Sequence, residues 1–135
     1  METKINSFET ACDFMGYQHT RPNIEGLPPH LGNPLVADYE MSVINEALTK
    51  EALEKEKEKI IFPDYRNWNQ KKCFPIFEVK ADDENPSGFG LSYDGYDYGR
   101  TDTSVGSRFC LPNPELVKYS ASQFAALHTM RMIGK

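Results

Sequence analysis

The chain has 135 residues, of which 39% are hydrophobic and 26% charged, and its formal net charge is -5. This composition excludes a disordered or fibrous protein, and the length predicts one domain over residues 1–135 with a sizeable core. The acidic balance argues against a general nucleic-acid binder, which usually presents a basic field.

The sequence shows no pattern for export, for a membrane span or for a disulfide framework. Its first residues, METKINSFETACDF, lack the apolar core of a signal peptide, and no apolar run is long enough to cross a bilayer. The three cysteines, Cys12, Cys73 and Cys110, are far apart and form no C-x-x-C pair. We therefore expect an intracellular protein with reduced and mostly buried thiols.

The N-terminal part is predicted to consist of a helix and an irregular loop over 1–32, followed by a helical segment over 33–59. Four apolar residues at helical spacing predict the first helix over 7–15: Phe8, Ala11, Cys12 and Met15. The proline- and glycine-rich stretch 17–32 predicts the loop. Asn33 and Pro34 have the residue types of a helix start, and the segment they open ends in an alternating run of lysine and glutamate.

The C-terminal part is predicted to hold a β-meander over 73–111 and a helix over 113–133. Alternating apolar residues predict three strands over 73–79, 88–93 and 105–111, with a polar and aromatic loop over 94–103. The predicted fold class is therefore α+β: N-terminal helices, a three-stranded antiparallel β-meander, and a C-terminal helix packed on the sheet.

The stretch 87–111 is the best candidate for a binding site, because it concentrates glycine and tyrosine around one loop. Tyrosine and arginine are favoured at the energetically dominant positions of interfaces. Six residues are therefore expected to contact a partner: Tyr93, Tyr96, Asp97, Tyr98, Arg100 and Arg108. Arg108 lies within a predicted strand, where it either pairs with Asp97, Asp102 or Glu78 or contacts an anion.

The residues that could carry chemistry do not have catalytic or metal-binding spacing. The aspartates beside the tyrosines lack the pattern of a calcium loop, and the three histidines lack the spacing of zinc ligands. Ser107 and Cys110 lie in a predicted strand and not on the strained turn of a nucleophile. His128 is expected to be a half-exposed packing residue. The sequence therefore predicts a protein that is not an enzyme and holds no cofactor or metal.

Several stretches between Phe74 and Phe124 carry a resemblance to a known family: FPIFEV, ADDENPSGFGLSYDGYDY and TSVGSRFCLPNPELVKYSASQF, with LVADYEMSVINEAL before them. From about Leu35 onward the chain resembles small uncharacterised proteins of phages, prophages and mobile elements of Bacteroides-type bacteria. It departs from their pattern in the N-terminal loop and in the charged stretch 50–59. The resemblance implies a mobile-element origin and the cytoplasm of a bacterial host, or a virion, and it implies no activity.

We expect a non-enzymatic phage or mobile-element accessory protein that binds a protein partner, for example a host factor, through the tyrosine-rich loop. One alternative is a nucleic-acid or nucleotide-binding module that stacks bases on the same aromatic residues. Another is a structural component of a virion, which would self-associate. An aromatic sheet face covered by a helix would instead be part of the core. The sequence does not define the oligomeric state.

Overall fold

The computed structural model describes residues 2–55, 72–81, 89–99 and 110–134. These residues form four helices and one pair of strands: α1 (Phe8–Met15), α2 (Pro29–Lys55), β1 (Lys72–Ala81), β2 (Phe89–Gly99), α3 (Pro114–Gln123) and α4 (Ala125–Ile133). In the described part of the chain, no helix has both the length and the apolar character that a bilayer span requires.

The first predicted helix is confirmed, and its ends are fixed by local chemistry. Ser7 precedes α1, and its hydroxyl accepts a hydrogen bond from the Thr10 amide at 3.1 Å. The Thr10 hydroxyl accepts one in return from the Ser7 amide at 3.0 Å, which is the reciprocal pattern of a capping box. Gly16 ends the helix with φ 76°, a left-handed conformation that glycine adopts without strain.

The predicted start of the second helix at Asn33 is wrong, because α2 already begins at Pro29. The Pro28 carbonyl accepts from the Gly32 amide at 2.9 Å, so Pro29 occupies the first helical position, where its missing N–H costs nothing. Pro34 then lies inside the helix and has no N–H to donate to the preceding turn. Residues 56–59 of the predicted helical segment lie outside the described residues.

The core is formed by one side of α2 together with its neighbours. α2 contacts α1 and α4, and three of its residues, Met41, Ile44 and Leu48, are fully buried. α2 also contributes Val43 and Ala47, and the rest of the cluster comes from other parts of the chain: Ile5, Phe8, Ala11, Cys12, Cys73, Leu111, Leu116, Val117 and Phe124. The prediction of mostly buried cysteines is confirmed for all three.

The predicted α+β fold with a three-stranded meander is wrong, since the described part is mostly helical and its β-structure is one antiparallel pair, β1 with β2. Of the predicted third strand, 105–109 lie outside the described residues. Leu111 makes a single bridge to Cys73, with backbone N···O distances of 2.8 and 2.7 Å. The ladder cannot continue beyond it, because Pro112 has no N–H and Asn113 already caps α3.

The loop predicted over 94–103 is also wrong for residues 94–99, which continue β2. Asp94 is an extra residue in the ladder, since Ile76 pairs with Gly95 and Phe77 pairs with Tyr93. Such a β-bulge absorbs one residue without ending the strand. Gly95 has φ 125°, which side-chain-bearing residues rarely adopt. Turn-forming residues thus mark a bulge here and not a loop.

The helix predicted over 113–133 is two helices, α3 and α4, separated at Phe124 with φ -113° and ψ 32°. The expected half-exposure of His128 on this segment is wrong, since the residue is 3% exposed. The Ser120 hydroxyl is hydrogen-bonded to Nε2 of His128 at 3.1 Å, and the Phe77 ring lies 5.0 Å from the imidazole. His128 therefore joins α4 to both α3 and β1.

The burial of His128 predicts a pH dependence of stability. Desolvation, with the Arg131 charge second, lowers the pKa of His128 from 6.5 to about 4. The unfolded chain therefore takes up this proton at a higher pH than the folded chain does. Stability is lost as the pH falls from about 6.5 and the loss levels off below about 4, at about 3 kcal/mol in total.

The contribution of His128 is measured by denaturant unfolding of the wild type and of His128→Leu between pH 7 and pH 4. It is the difference between the slopes of their unfolding free energies against pH. We expect the variant to lose less stability over this range than the wild type. His30→Gln, at an exposed position, should keep the wild-type slope. Parallel curves for the wild type and His128→Leu would show that the histidine is not titrating as its burial requires.

Candidate functional site

A groove of about 1060 Å³ runs along α2. Ten of the thirteen described residues that line it belong to this helix, and they extend from Leu35 to Glu54. At 1.5 Å of rise per residue, this range spans roughly 28 Å along the helix axis. The groove is therefore a long, open channel parallel to α2 and not a compact cleft.

The groove lies on the side of α2 that faces away from its core side, and this side carries three apolar residues among polar ones. Residues three and four apart lie on one side of a helix. The lining residues follow that spacing: Leu35, Asp38, Tyr39, Ser42, Asn45, Glu46, Thr49, Lys50, Leu53 and Glu54. The core residues Met41, Ile44 and Leu48 follow the same spacing on the opposite side. One helix thus serves both the core and the groove.

Exposed apolar side chains are concentrated in the first half of α2 and in the segment before it. Among the described residues, seven large hydrophobic side chains are exposed, and five of them lie in the first half of α2 or in the segment before it: Tyr17, Leu27, Leu31, Leu35 and Tyr39. Leu35, at 51% exposure, and Tyr39, at 37%, line the groove itself. Apolar surface concentrated in this way is characteristic of an interaction site.

Arg21 fixes the segment that forms one part of the groove wall. Its guanidinium contacts Glu9 of α1 at 2.8 Å and Glu40 of α2 at 2.5 Å, and it lies 4.5 Å above the centre of the Phe8 ring. The hydrogen bond from Arg21 lowers the pKa of Glu9, and the two carboxylates raise the pKa of Arg21. Pro22, the next residue, lines the groove.

A second contact, made by Tyr17, holds the same wall of the groove. The Tyr17 hydroxyl donates a hydrogen bond to the carboxylate of Glu46, which lines the groove. This hydrogen bond is the main reason why the pKa of Tyr17 is raised. His19 contacts Asp13 at 2.8 Å, so the segment after α1 is attached at three successive points. The wall is therefore held by polar contacts and not by deep burial.

The charged part of the described lining is mostly acidic. Among the lining residues that the structure describes, three carry carboxylates, Asp38, Glu46 and Glu54, and one carries an ammonium, Lys50. The Lys50 amine lies 5.6 Å from the centre of the Phe14 ring, within the range of a cation–π contact. Asp38 lies 3.8 Å from the guanidinium of Arg131. The groove thus combines an apolar end with a rim that attracts positive charge.

Cys110 is the described lining residue that comes from the segment before α3. It is 4% exposed, and burial raises the pKa of its thiol to about 11. A thiol with this pKa is protonated at neutral pH and is a poor nucleophile. Among the described residues, no group of three or more histidine, cysteine, aspartate or glutamate side chains could hold a metal ion.

Four of the six predicted site residues lie in β2: Tyr93, Tyr96, Asp97 and Tyr98. The register pairs the three tyrosines with Phe77, Pro75 and Cys73, respectively. On β1, Cys73 is fully buried and Phe77 contacts His128. Arg100 and Arg108 lie outside the described residues, so a contact that uses them stays a prediction.

The sequence does not predict the groove, since the candidate site residues lie in the stretch 87–111 and the described lining residues lie mainly in α2. The spacing of Leu35, Tyr39, Val43 and Leu48 predicts one core side, but Leu35 and Tyr39 are exposed. The informative signal is that Leu35 and Tyr39 share a side of the helix with the polar residues Ser42 and Glu46. No protein-family model, curated protein or solved structure matches the chain.

The attachment by Arg21 predicts how the wall responds to substitution. Arg21→Ala removes both ion pairs and the contact with Phe8, so residues 17–28 should open more often. We expect chymotrypsin to cleave after Tyr17 roughly threefold to tenfold faster than in the wild type, at an unchanged circular dichroism spectrum. His19→Gln, which removes only the exposed contact with Asp13, should change the rate less. An unchanged rate in Arg21→Ala would show that other contacts hold the segment.

Proposed function

We propose that this chain is a non-enzymatic binding protein that takes a protein partner in the groove along α2. The observation that carries the proposal is the pair of exposed apolar side chains Leu35 and Tyr39 on α2, which lie at one end of a channel roughly 28 Å long. Ligand sites for small molecules are usually enclosed clefts, whereas an open channel along a helix suits an extended macromolecular surface.

The attachment of the groove wall supports the same proposal. A wall held by Arg21 and Tyr17 keeps the channel formed before a partner arrives, so little ordering is needed on binding. The acidic lining does not favour nucleic acid as the occupant, because phosphates are bound by basic surfaces. The resemblance of the sequence supports a role as a phage or mobile-element accessory protein in the cytoplasm of a bacterial host.

A library of helical peptides selected on the purified protein tests this function. We expect the selected peptides to lose at least tenfold in affinity for Leu35→Lys, because a charge would stand in the apolar end of the groove. They should bind Ile76→Lys as they bind the wild type. Ile76 is 39% exposed on β1 and does not line the groove, so it is a matched control.

Leu35 is half-exposed, so we expect Leu35→Lys to fold with an unchanged melting temperature. Peptides that bind the wild type and Leu35→Lys equally well would place the binding surface elsewhere. A failure to select any binder that distinguishes Leu35→Lys from Ile76→Lys would count against the groove as a protein-binding site.

A further inference from the structure

The shape of the groove limits the conformation of its occupant. The described lining comes mainly from one helix, whose backbone groups are paired along its own axis, so this part of the groove offers no sheet edge for an added strand. The remaining mode that suits a long channel with an apolar end is a helix lying along it. A channel of roughly 28 Å accommodates about five helical turns.

The charges limit the occupant further. The carboxylates of Asp38, Glu46 and Glu54 are eight residues apart in sequence. They therefore stand at three levels along the groove, roughly 12 Å from one level to the next. Lys50 is the single cation among the described lining residues. A complementary helix would carry basic residues beside its apolar face, at levels that match these carboxylates.

A second copy of the chain does not satisfy this pattern. Pairing two α2 grooves would bring the carboxylates of one copy against those of the other, and each chain has a net charge of -5. Like charges placed together across an interface disfavour association. Electrostatics therefore favour a partner that is distinct from this chain.

We propose that the occupant of the α2 groove is an amphipathic helix of a partner protein, with lysine or arginine flanking its apolar face. This inference rests on the proposed function, since it names the partner chemistry of the same groove. The apolar face would lie on Leu35 and Tyr39, and the flanking cations would face Asp38, Glu46 and Glu54. The carboxylates would then accelerate association and select the partner.

Two synthetic helices of about 20 residues test the inference by fluorescence anisotropy. Both have the same leucine and alanine face, one with lysine in the flanking positions and one with glutamate in their place. We expect the basic peptide to bind at least tenfold more tightly than the acidic one, and its affinity to fall as salt is added. Equal affinities, or tighter binding of the acidic peptide, would overturn the inference.

A pair of double variants with equal net charge locates the effect. Glu46→Gln with Glu54→Gln removes two groove carboxylates, whereas Glu25→Gln with Glu115→Gln removes two exposed carboxylates that do not line the groove. We expect about a fivefold loss of affinity for the basic peptide in the first double variant. The second should bind as the wild type does. Equal losses in the two double variants would mean that net charge alone attracts the peptide, and would overturn the inference.

Binding of both peptides to Leu35→Lys separates this inference from the proposed function. If both peptides lose affinity for Leu35→Lys but bind the wild type equally, the groove binds helices without charge selection, and only the present inference fails. If neither peptide loses affinity for Leu35→Lys, the proposed function fails with it. If light scattering shows a dimer that Leu35→Lys dissociates, the occupant is a second copy and the inference is overturned.

Discussion

The packing of α1 and α4 on one side of α2 is the contact on which the rest of the described structure depends. Met41, Ile44 and Leu48 are fully buried there, and each such side chain removes apolar area worth roughly 2 kcal/mol from water. Since this packing uses one side of the helix, the other side, from Leu35 to Glu54, is left to line the groove. The core and the candidate site are thus consequences of one helix.

The chain termini are both attached to α2, which keeps this arrangement in place. Near the N-terminus, Glu51 is 8% exposed and accepts hydrogen bonds from the Thr3 hydroxyl at 2.5 Å and the Lys4 amide at 3.0 Å. Near the C-terminus, a Cβ added to Gly134 would lie 3.5 Å from Pro34. α2 is therefore held along much of its length on its core side, and the groove side is shaped by side-chain contacts such as those of Arg21.

The elements that the sequence predicts correctly are those determined by local chemistry. The prediction of α1 is correct because Ser7, Thr10 and Gly16 specify both ends of the helix without contacts from distant residues. The predicted start of α2 is wrong because Pro29 and Pro34 both suit a first helical position. The choice between them depends on contacts with other parts of the chain. The predicted extent of β2 is wrong because Asp94 and Gly95 are typical of turns, although a bulge accommodates the same residues.

Burial that depends on distant elements could not be predicted from the sequence. His128 is expected to be half-exposed, and it is buried because Ser120 of α3 and Phe77 of β1 pack beside it. The groove also depends on distant elements, because the residue spacing on α2 does not indicate which side α1 and α4 will cover. The register places Tyr93, Tyr96 and Tyr98 in β2, opposite residues of β1.

The binding role of the α2 groove is tested most directly by photo-crosslinking. Benzoylphenylalanine is placed at position 35 in one protein and at position 76 in a second, and each is irradiated with the basic amphipathic peptide. We predict a product with the mass of one chain plus one peptide from position 35, and little of it from position 76. Crosslinking from position 76 alone, or equally from both positions, would contradict the groove as the binding surface.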